Sequence, residues 1–323
     1  MNTASAPASP VALSIVIPFY DEEGSLAELH RRLTALLERE NRPYEIVFVD
    51  DGSRDRSNAL VREIRIADRR VRLITFRRNQ GKSAALDVGF RAAVGEYIVT
   101  MDADLQDDPA EIPNLLAQLD NGYDLVSGWK QVRHDPLSKR LPSRIFNFVT
   151  GWLTGIRLHD FNCGLKAYRA EVVREIAVYG ERHRFLPVLA HLAGFRVGEI
   201  AVQHHPRQFG KTKFGAYRFL AGFMDLLTLL FRMKFFAKPM HLFGSLGMLS
   251  LAAGTAVLFY LGIGWFQGIW IGNRPLLMAG ILGVIAGVQL ITLGLLGEMI
   301  AERSGGRDYP ICDGSDLTPR SRD

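Results

Sequence analysis

Residues 99 to 109, Val99-Thr100-Met101-Asp102-Ala103-Asp104-Leu105-Gln106-Asp107-Asp108-Pro109, run from a short apolar stretch straight into a cluster of carboxylates. The stretch reads as the end of a buried strand, and ligands of open α/β sheets bind beyond the carboxyl ends of strands. Asp102 and Asp104 stand two apart, so both can turn toward one cation while Ala103 points away. Hard oxygen ligands favour Mg2+ or Mn2+, ions that keep open positions for substrate phosphates. The pair therefore points to a diphosphate-bearing substrate. Taken alone the motif is short, and an acidic turn capping the next helix, with Pro109 at its first position, is the simpler reading.

The surrounding pattern decides the fold. Apolar, β-branched runs at 13–18, 44–49, 71–76 and 96–101 read as strands. They alternate with helical spacing at 25–39, 55–67 and 82–94, the first opened by Ser25 as a candidate N-cap. Such alternation predicts an α/β fold, a parallel sheet with helices on both faces. Two more strands are predicted at 123–127 and 196–202, and the second strand, like the fourth, ends in an acidic turn, Asp50-Asp51-Gly52-Ser53. Gly81-Lys82-Ser83 imitates the end of a phosphate-binding P-loop, but Phe76 stands where that loop requires glycine. Lys82 opens a helix, where it can neutralise a phosphate or simply remain solvated.

The chain has 323 residues, 48% of them hydrophobic, and a formal net charge of +5. The pI of about 9.3 suits a membrane surface, an anionic substrate or nucleic acid. Residues 239–300 are almost uncharged, which favours the first two. The two cysteines, Cys163 and Cys312, make no metal-spaced pair and no disulfide framework, as expected in a reducing compartment. Residues 1–11 read as a disordered tail without the features of a signal peptide.

With these motifs in place the chain resembles the inverting family 2 glycosyltransferases of GT-A fold. The residues that carry the resemblance are Ile17-Pro18-Phe19-Tyr20-Asp21-Glu22, Val49-Asp50-Asp51-Gly52-Ser53, Asn79-Gln80-Gly81-Lys82 and Met101 to Pro109. More narrowly it is similar to the polyprenyl-phosphate subgroup that includes dolichol-phosphate mannose synthase, over about residues 12–214. The resemblance implies a Rossmann-like, mostly parallel GT-A sheet and transfer of a sugar, with inversion, from a nucleotide diphosphate sugar to a polyprenyl phosphate of undecaprenyl or dolichyl type. It implies that Pro18, Tyr20, Glu22, Asp50 and Asp51 bind the nucleotide, with Lys82 and Ala103 in the same donor site. Asp102, Asp104 and Gln106 would hold Mg2+ or Mn2+ and the diphosphate, Asp104 being counted as catalytic.

Past the 123–127 strand, Lys130, Arg133, His134, Lys139, Arg140 and Arg144 crowd into one segment with Pro136 and Pro142. A basic loop suits an anionic second substrate, since guanidinium groups bind phosphate bidentately, and a solvated mobile loop is the bland alternative. By resemblance Arg133, with Arg140 and Arg144 after it, would contact the acceptor phosphate. Residues 143–156 are apolar on most faces and either fill the core or lie in a membrane interface. Asp160, opening Asp160-Phe161-Asn162-Cys163, falls where the family carries an active-site aspartate, although relatives often show Phe-Arg-Leu there. His204 and His205 are adjacent in an extended stretch and so point to opposite sides, which argues against one metal. Arg207 to Lys213 resembles a donor-closing loop, with Arg207 and Lys213 meeting the diphosphate.

From 215 to 238, Arg218, Asp225 and Arg232 recur on one stripe of an otherwise apolar helix, the pattern of a juxtamembrane interfacial helix. Residues 240–266 and 276–297 are each long enough to span a membrane, giving a two-helix hairpin within 239–300. Gly283 and Gly287 offer a Gly-x-x-x-Gly packing face. The expected partners are a nucleotide sugar, a polyprenyl phosphate lipid and the cell (inner) membrane, with a homo-oligomer left open and no nucleic acid. A processive polysaccharide synthase is the rival enzyme, but the Gln-x-x-Arg-Trp motif of those relatives does not occur here. A catalytically idle nucleotide-sugar-binding scaffold is the rival of another class. Cations flank the outer ends of the hairpin more than its connection, which places the catalytic domain, both termini and the 301–323 tail in the cytoplasm. A reporter fused after Asp323 should accordingly give a cytoplasmic signal, and an external one would mean an odd number of spans.

Overall fold

The computed structural model of the chain describes residues 11–131, 147–152, 154–176, 178, 182–206, 228, 239–272 and 275–303. It divides into two compact units, Met1–Asp225 and Leu226–Asp323. In the first, β1 (Leu13–Phe19) is buried at every position but Pro18, and β2 (Tyr44–Asp50) is buried throughout. Strands covered on both faces need such continuous apolar runs. Glu45 in β2 is tolerated because Ser14 Oγ (2.7 Å), the Val94 backbone N–H (2.9 Å) and Arg72 (2.9 Å) satisfy its carboxylate.

A seven-stranded sheet follows, in which β3 (Val71–Thr75) pairs with β2, β2 with β1, and β1 with β4 (Tyr97–Thr100), all in parallel. Beyond β4 come β6 (Lys166–Arg169), β5 (Leu125–Lys130) and β7 (Val197–Val202). The strand β6 runs antiparallel to both β4 and β5. It is the departure from the expected parallel sheet. Four residues with a charge at each end carry no readable strand signal.

Helices cover both faces. On one, α1 (Leu26–Arg39) buries Leu26, Leu29, Leu33 and Leu37 beside Leu115, Leu116 and Leu119 of α4 (Ile112–Asp120). On the other, Ala85, Leu86 and Phe90 of α3 (Lys82–Ala92) pack with Val172 of α5 (Ala170–Glu175) and Leu186 of α6 (Leu186–Leu192). The remaining soluble helix, α2, spans Ser57–Ala67. Ser25 occupies the N-cap position of α1 but makes no side-chain cap, because its hydroxyl turns back to the Glu22 carbonyl at 3.1 Å.

In the second unit, α7 (Pro239–Phe266) and α8 (Pro275–Arg303) are long and apolar enough to cross a membrane. Small residues bring them together. A Cβ on Gly287 would lie 2.7 Å from the Leu251 amide nitrogen, and one on Gly283 would lie 3.1 Å from Gly254 Cα. Ser250 Oγ donates across the seam to the Gly283 carbonyl at 2.8 Å. The Gly-x-x-x-Gly face is thus spent inside the hairpin. The stripe Arg218, Asp225 and Arg232 and the tails 1–10 and 304–323 lie outside the described residues.

Candidate active site

The order β3-β2-β1-β4 means that the chain leaves β1 to one side for two strands and returns to its other side. That reversal opens a crevice beyond the carboxyl ends of β1 and β4, the place where open α/β sheets bind ligands. Pro18 near the end of β1, Lys82 at the start of α3 and Asp102 past the end of β4 wall one narrow pocket there, together with Asn162, Lys166 and His183.

The acidic turn after β2 orders the segment that leads to Lys82. Asp50 accepts the Ser53 N–H at 2.8 Å and the Asn58 side-chain amide at 2.6 Å. Asp51 accepts the backbone N–H of Gln80 at 2.6 Å and of Gly81 at 3.0 Å, tying down the segment that leads to Lys82. Burial pushes the Asp51 carboxyl up, against the pull of those two N–H groups. Gly52 has φ 75° and its missing Cβ would sit 2.7 Å from the Arg78 backbone, so the turn requires glycine. The Asp21 backbone N–H donates to Ser53 Oγ at 3.0 Å and that of Glu22 to Ser57 Oγ at 2.8 Å, which joins the β1 end carrying Tyr20 to this turn.

At the β4 end, Lys82 Nζ donates to the Asp102 carboxylate. Asp102 packs so closely on Gly164 that a Cβ there would lie 2.5 Å from its carboxylate. Ala103 is buried in the core, as the alternation predicts, and Asp104 Oδ1 accepts the Gln106 N–H at 3.2 Å. Leu105 between them has φ 60°, a strained conformation of the kind that collects at functional sites. Two carboxylates and an amide are a hard donor set that fits Mg2+ or Mn2+, and the ammonium on Asp102 marks where positive charge is stable. Among the described residues no group of three or more His, Cys, Asp or Glu side chains could hold a metal, so a cation here would draw its other ligands from diphosphate and water.

Asp160 is buried and accepts the Asn162 N–H at 3.0 Å. Its position is fixed by His159, whose ring stacks on Trp129 at 4.1 Å, whose Nδ1 lies 2.5 Å from Glu199 Oε1, and whose carbonyl accepts from Asn147 at 2.6 Å. The apolar segment before it is helical at 147–152, with Asn147 and Thr150 buried and Phe148 and Trp152 exposed. These two aromatics do not fill the core. Arg133, Arg140, Arg144, Arg207 and Lys213 lie outside the described residues.

Five groups were not visible as a cluster in the sequence. Lys130, at the end of β5, places Nζ 2.9 Å from Asp107, and His204 Nδ1 lies 3.7 Å from the same carboxylate. Its neighbour His205 pairs instead with Asp108, at 3.0 Å. Each histidine thus meets one aspartate, joined by a bridge between Asp107 and His204. Burial pushes the Asp107 carboxyl up, but Lys130 and His204 outweigh it and hold the group well below the usual carboxylate range. Burial alone would lower Lys130, yet Asp107 raises it. Cys163 is buried and its thiol is pushed up to about 12, so it is no nucleophile.

Residues 14–177 match the family described as Glycosyl transferase family 2. The chain is 40% identical over 303 residues to the dodecaprenyl-phosphate galacturonate synthase of Rhizobium johnstonii, covering 91% of this chain and 89% of that one. It is 38% identical over 313 residues to the undecaprenyl-phosphate 4-deoxy-4-formamido-L-arabinose transferase of Pseudomonas paraeruginosa, covering 96% and 88%. Among solved structures, glucosyl-3-phosphoglycerate synthase from Mycobacterium tuberculosis, in complex with Mn2+, UDP and phosphoglyceric acid, superposes with a TM-score of 0.52 at 18% identity, over 69% of this chain and 78% of that one. That likeness shows the GT-A fold.

The Asp107–Lys130 pair yields a stability prediction. Lys130→Met strands a buried carboxylate and should cost about 3–5 kcal/mol, most of it restored in Lys130→Met/Asp107→Asn. Because the folded pKa of Asp107 lies below its unfolded value of roughly 3.9, the wild-type pair contributes fully above that pH and is lost as the pH falls below it. Urea melts of the full chain at pH 7 and pH 2 read both effects; a double variant no more stable than Lys130→Met at pH 7 would refute the pairing.

Proposed function

The chain belongs to glycosyltransferase family 2, and from that premise we propose that it transfers a sugar from a nucleotide diphosphate sugar to a polyprenyl phosphate, with inversion at the anomeric carbon. The observation that carries this reading is the Asp102/Asp104 strand end at the switch point of the sheet, followed in the same chain by two membrane-length helices. Both relatives above are named for polyprenyl-phosphate acceptors, and most of their length is matched. Their sugars differ, so the names alone do not choose one.

In this reading Pro18, Tyr20, Glu22 and Asp50 receive the nucleotide, while Asp51 acts through the backbone of Gln80 and Gly81 by ordering the approach to Lys82. Asp102, Asp104 and Gln106 would hold Mg2+ or Mn2+, which when bound would supply positive charge against that of the departing diphosphate. Arg207 and Lys213 close over the same phosphates. A phosphate oxygen of the acceptor attacks the anomeric carbon, its bond to that carbon forms as the bond to the diphosphate oxygen breaks, and the nucleoside diphosphate leaves. A lipid monophosphate is already anionic near neutral pH, its second ionisation lying near ~6 as for phosphoserine. No side chain has to remove a proton from it. The protein's work is orientation and charge management. Arg133, with Arg140 and Arg144, grips the acceptor phosphate, and Asp160 orients the cations around it. The catalytic domain and both termini face the cytoplasm at the inner membrane.

Asp104→Asn should reduce transfer by roughly two to three orders of magnitude with the fold intact, in the range that electrostatic stabilisation usually contributes. Near-normal turnover of a folded variant, or full wild-type activity in excess chelator, would remove the metal assignment. Arg133→Ala should damage kinetics toward undecaprenyl phosphate while nucleotide-sugar affinity is retained, and Asp160→Asn should be milder than Asp104→Asn. Separate donor-binding and acceptor-kinetic measurements test this; unchanged acceptor kinetics in Arg133→Ala would count against the base-free mechanism.

A further inference from the structure

Lys166, the first residue of β6, is only 3% exposed. Its Nζ donates to the Cys163 carbonyl, which uses one of three ammonium donors. Among the described residues it has no carboxylate within ion-pair distance, unlike Lys82 on Asp102 and Lys130 on Asp107. A buried charge without a counter-ion is costly. Burial, reinforced by nearby Lys82, pushes Lys166 below the usual lysine range, against the opposing pull of the Asp160 and Asp102 carboxylates, neither of which pairs with it directly.

The ammonium lines the narrow pocket at the switch point with Lys82, Asp102, Asn162 and His183. His183 is positioned by Ser83, whose Oγ lies 2.9 Å from Nδ1 and accepts the His183 backbone N–H at 3.1 Å. The floor of the pocket, Thr100 and Tyr168, is buried. Lys82 is already paired with the Asp102 carboxylate, so the Lys166 ammonium, beside the His183 imidazole, is the group in this small recess left to receive an anion. The proposed function already supplies other partners for the phosphates: the Asp102/Asp104 cation with Arg207 and Lys213 for the donor, and the 132–146 arginines for the acceptor. The group left to fill the recess belongs to the sugar. A planar monoanion loses less hydration on entering a buried site than a phosphate dianion, and a neutral hydroxymethyl would leave the ammonium uncompensated.

We propose that Lys166, with Lys82 and His183, binds a carboxylate on the transferred sugar, so that the donor is a nucleotide-linked uronic acid. This rests on the reading of the crevice as a nucleotide-sugar site. The test is calorimetric binding to the full-length chain in detergent, without acceptor, of matched donors: UDP-galacturonate against UDP-galactose, UDP-glucuronate against UDP-glucose, and GDP-mannuronate against GDP-mannose. Wild type should bind the uronate of at least one pair on the order of tenfold more tightly than its hexose, since a buried polar group left unpaired discriminates strongly. Lys166→Met should bring that ratio near one, and His183→Gln, at a less buried position, should narrow it. Preference for the hexose in all pairs, or an equal loss for both members in Lys166→Met and an unchanged ratio in His183→Gln, would overturn the proposal. So would a Lys166→Met effect confined to KM for undecaprenyl phosphate. Uronate preference in binding without any transfer to undecaprenyl phosphate would leave the pocket assignment standing and refute the acceptor assignment instead.

Discussion

Parallel pairing of β1 with both β2 and β4 is the constraint on which the rest of the first unit depends. Parallel neighbours need crossovers, and crossovers of one hand put α1 and α2 on one face of the sheet and α3 on the other. With β2 and β3 to one side of β1 and β4 to the other, the carboxyl ends of β1 and β4 cannot both be covered by one connection. The gap is filled by side chains instead. Pro18, Lys82 and Asp102, distant in sequence, become neighbours because the topology leaves them nowhere else to point.

Much of this was legible in the residues. Leu13 to Phe19 and Tyr44 to Asp50 are near-continuous apolar runs because both faces of each strand are covered, and the leucines of α1 recur at helical spacing because one face is. The acidic turns were legible because carboxylates after apolar runs are rare without a purpose. What failed to show was anything that depends on distant pairing. Asp107 finds His204 across 97 positions, and neither residue alone announces the other. The sequence argument that adjacent histidines face opposite sides was sound, yet it could not supply the two aspartates that alternate in the same way. Lys166 was hidden for a related reason: a lysine opening a four-residue strand looks like a solvated end until antiparallel neighbours close over it on both sides.

The membrane unit inverts the rule that shapes the first. Its large apolar residues, such as Phe259, Trp265 and Leu282, are exposed, while Gly247, Gly254 and Gly287 lie at the helix contact. Lipid is as apolar as leucine, so burying large side chains between the helices gains little, and close backbone approach gains dispersion contacts and the Ser250 hydrogen bond. Glycine content that would weaken a soluble helix is therefore the adhesive here. The same contact explains why this segment was readable as spans: helices apolar on every side have no soluble core to face.

Charge in the first unit is divided between fixed and exchangeable pairs, and the division follows burial. The side chains of Lys82 and Asp102 are each about one-third exposed, 31% and 32%, so their attraction is screened and worth at most about 1 kcal/mol. A substrate anion for the ammonium and a cation for the carboxylate can replace that pairing at little cost. Asp107 and Lys130 are 0% and 15% exposed, where loss of either partner costs several times more. They cannot serve a ligand without unfolding their surroundings. Their effect is to lock the β5 end and the segment after β7 onto the loop that carries Asp104 and Gln106, through the Asp107–His204 bridge and the His205 N–H on the Gln106 carbonyl at 2.8 Å. On the proposed function, a weak pair at the mouth and a strong pair behind it would let the acidic loop exchange counter-ions without moving its backbone. That is the condition under which preorganised charge lowers a barrier instead of being consumed in reorganisation.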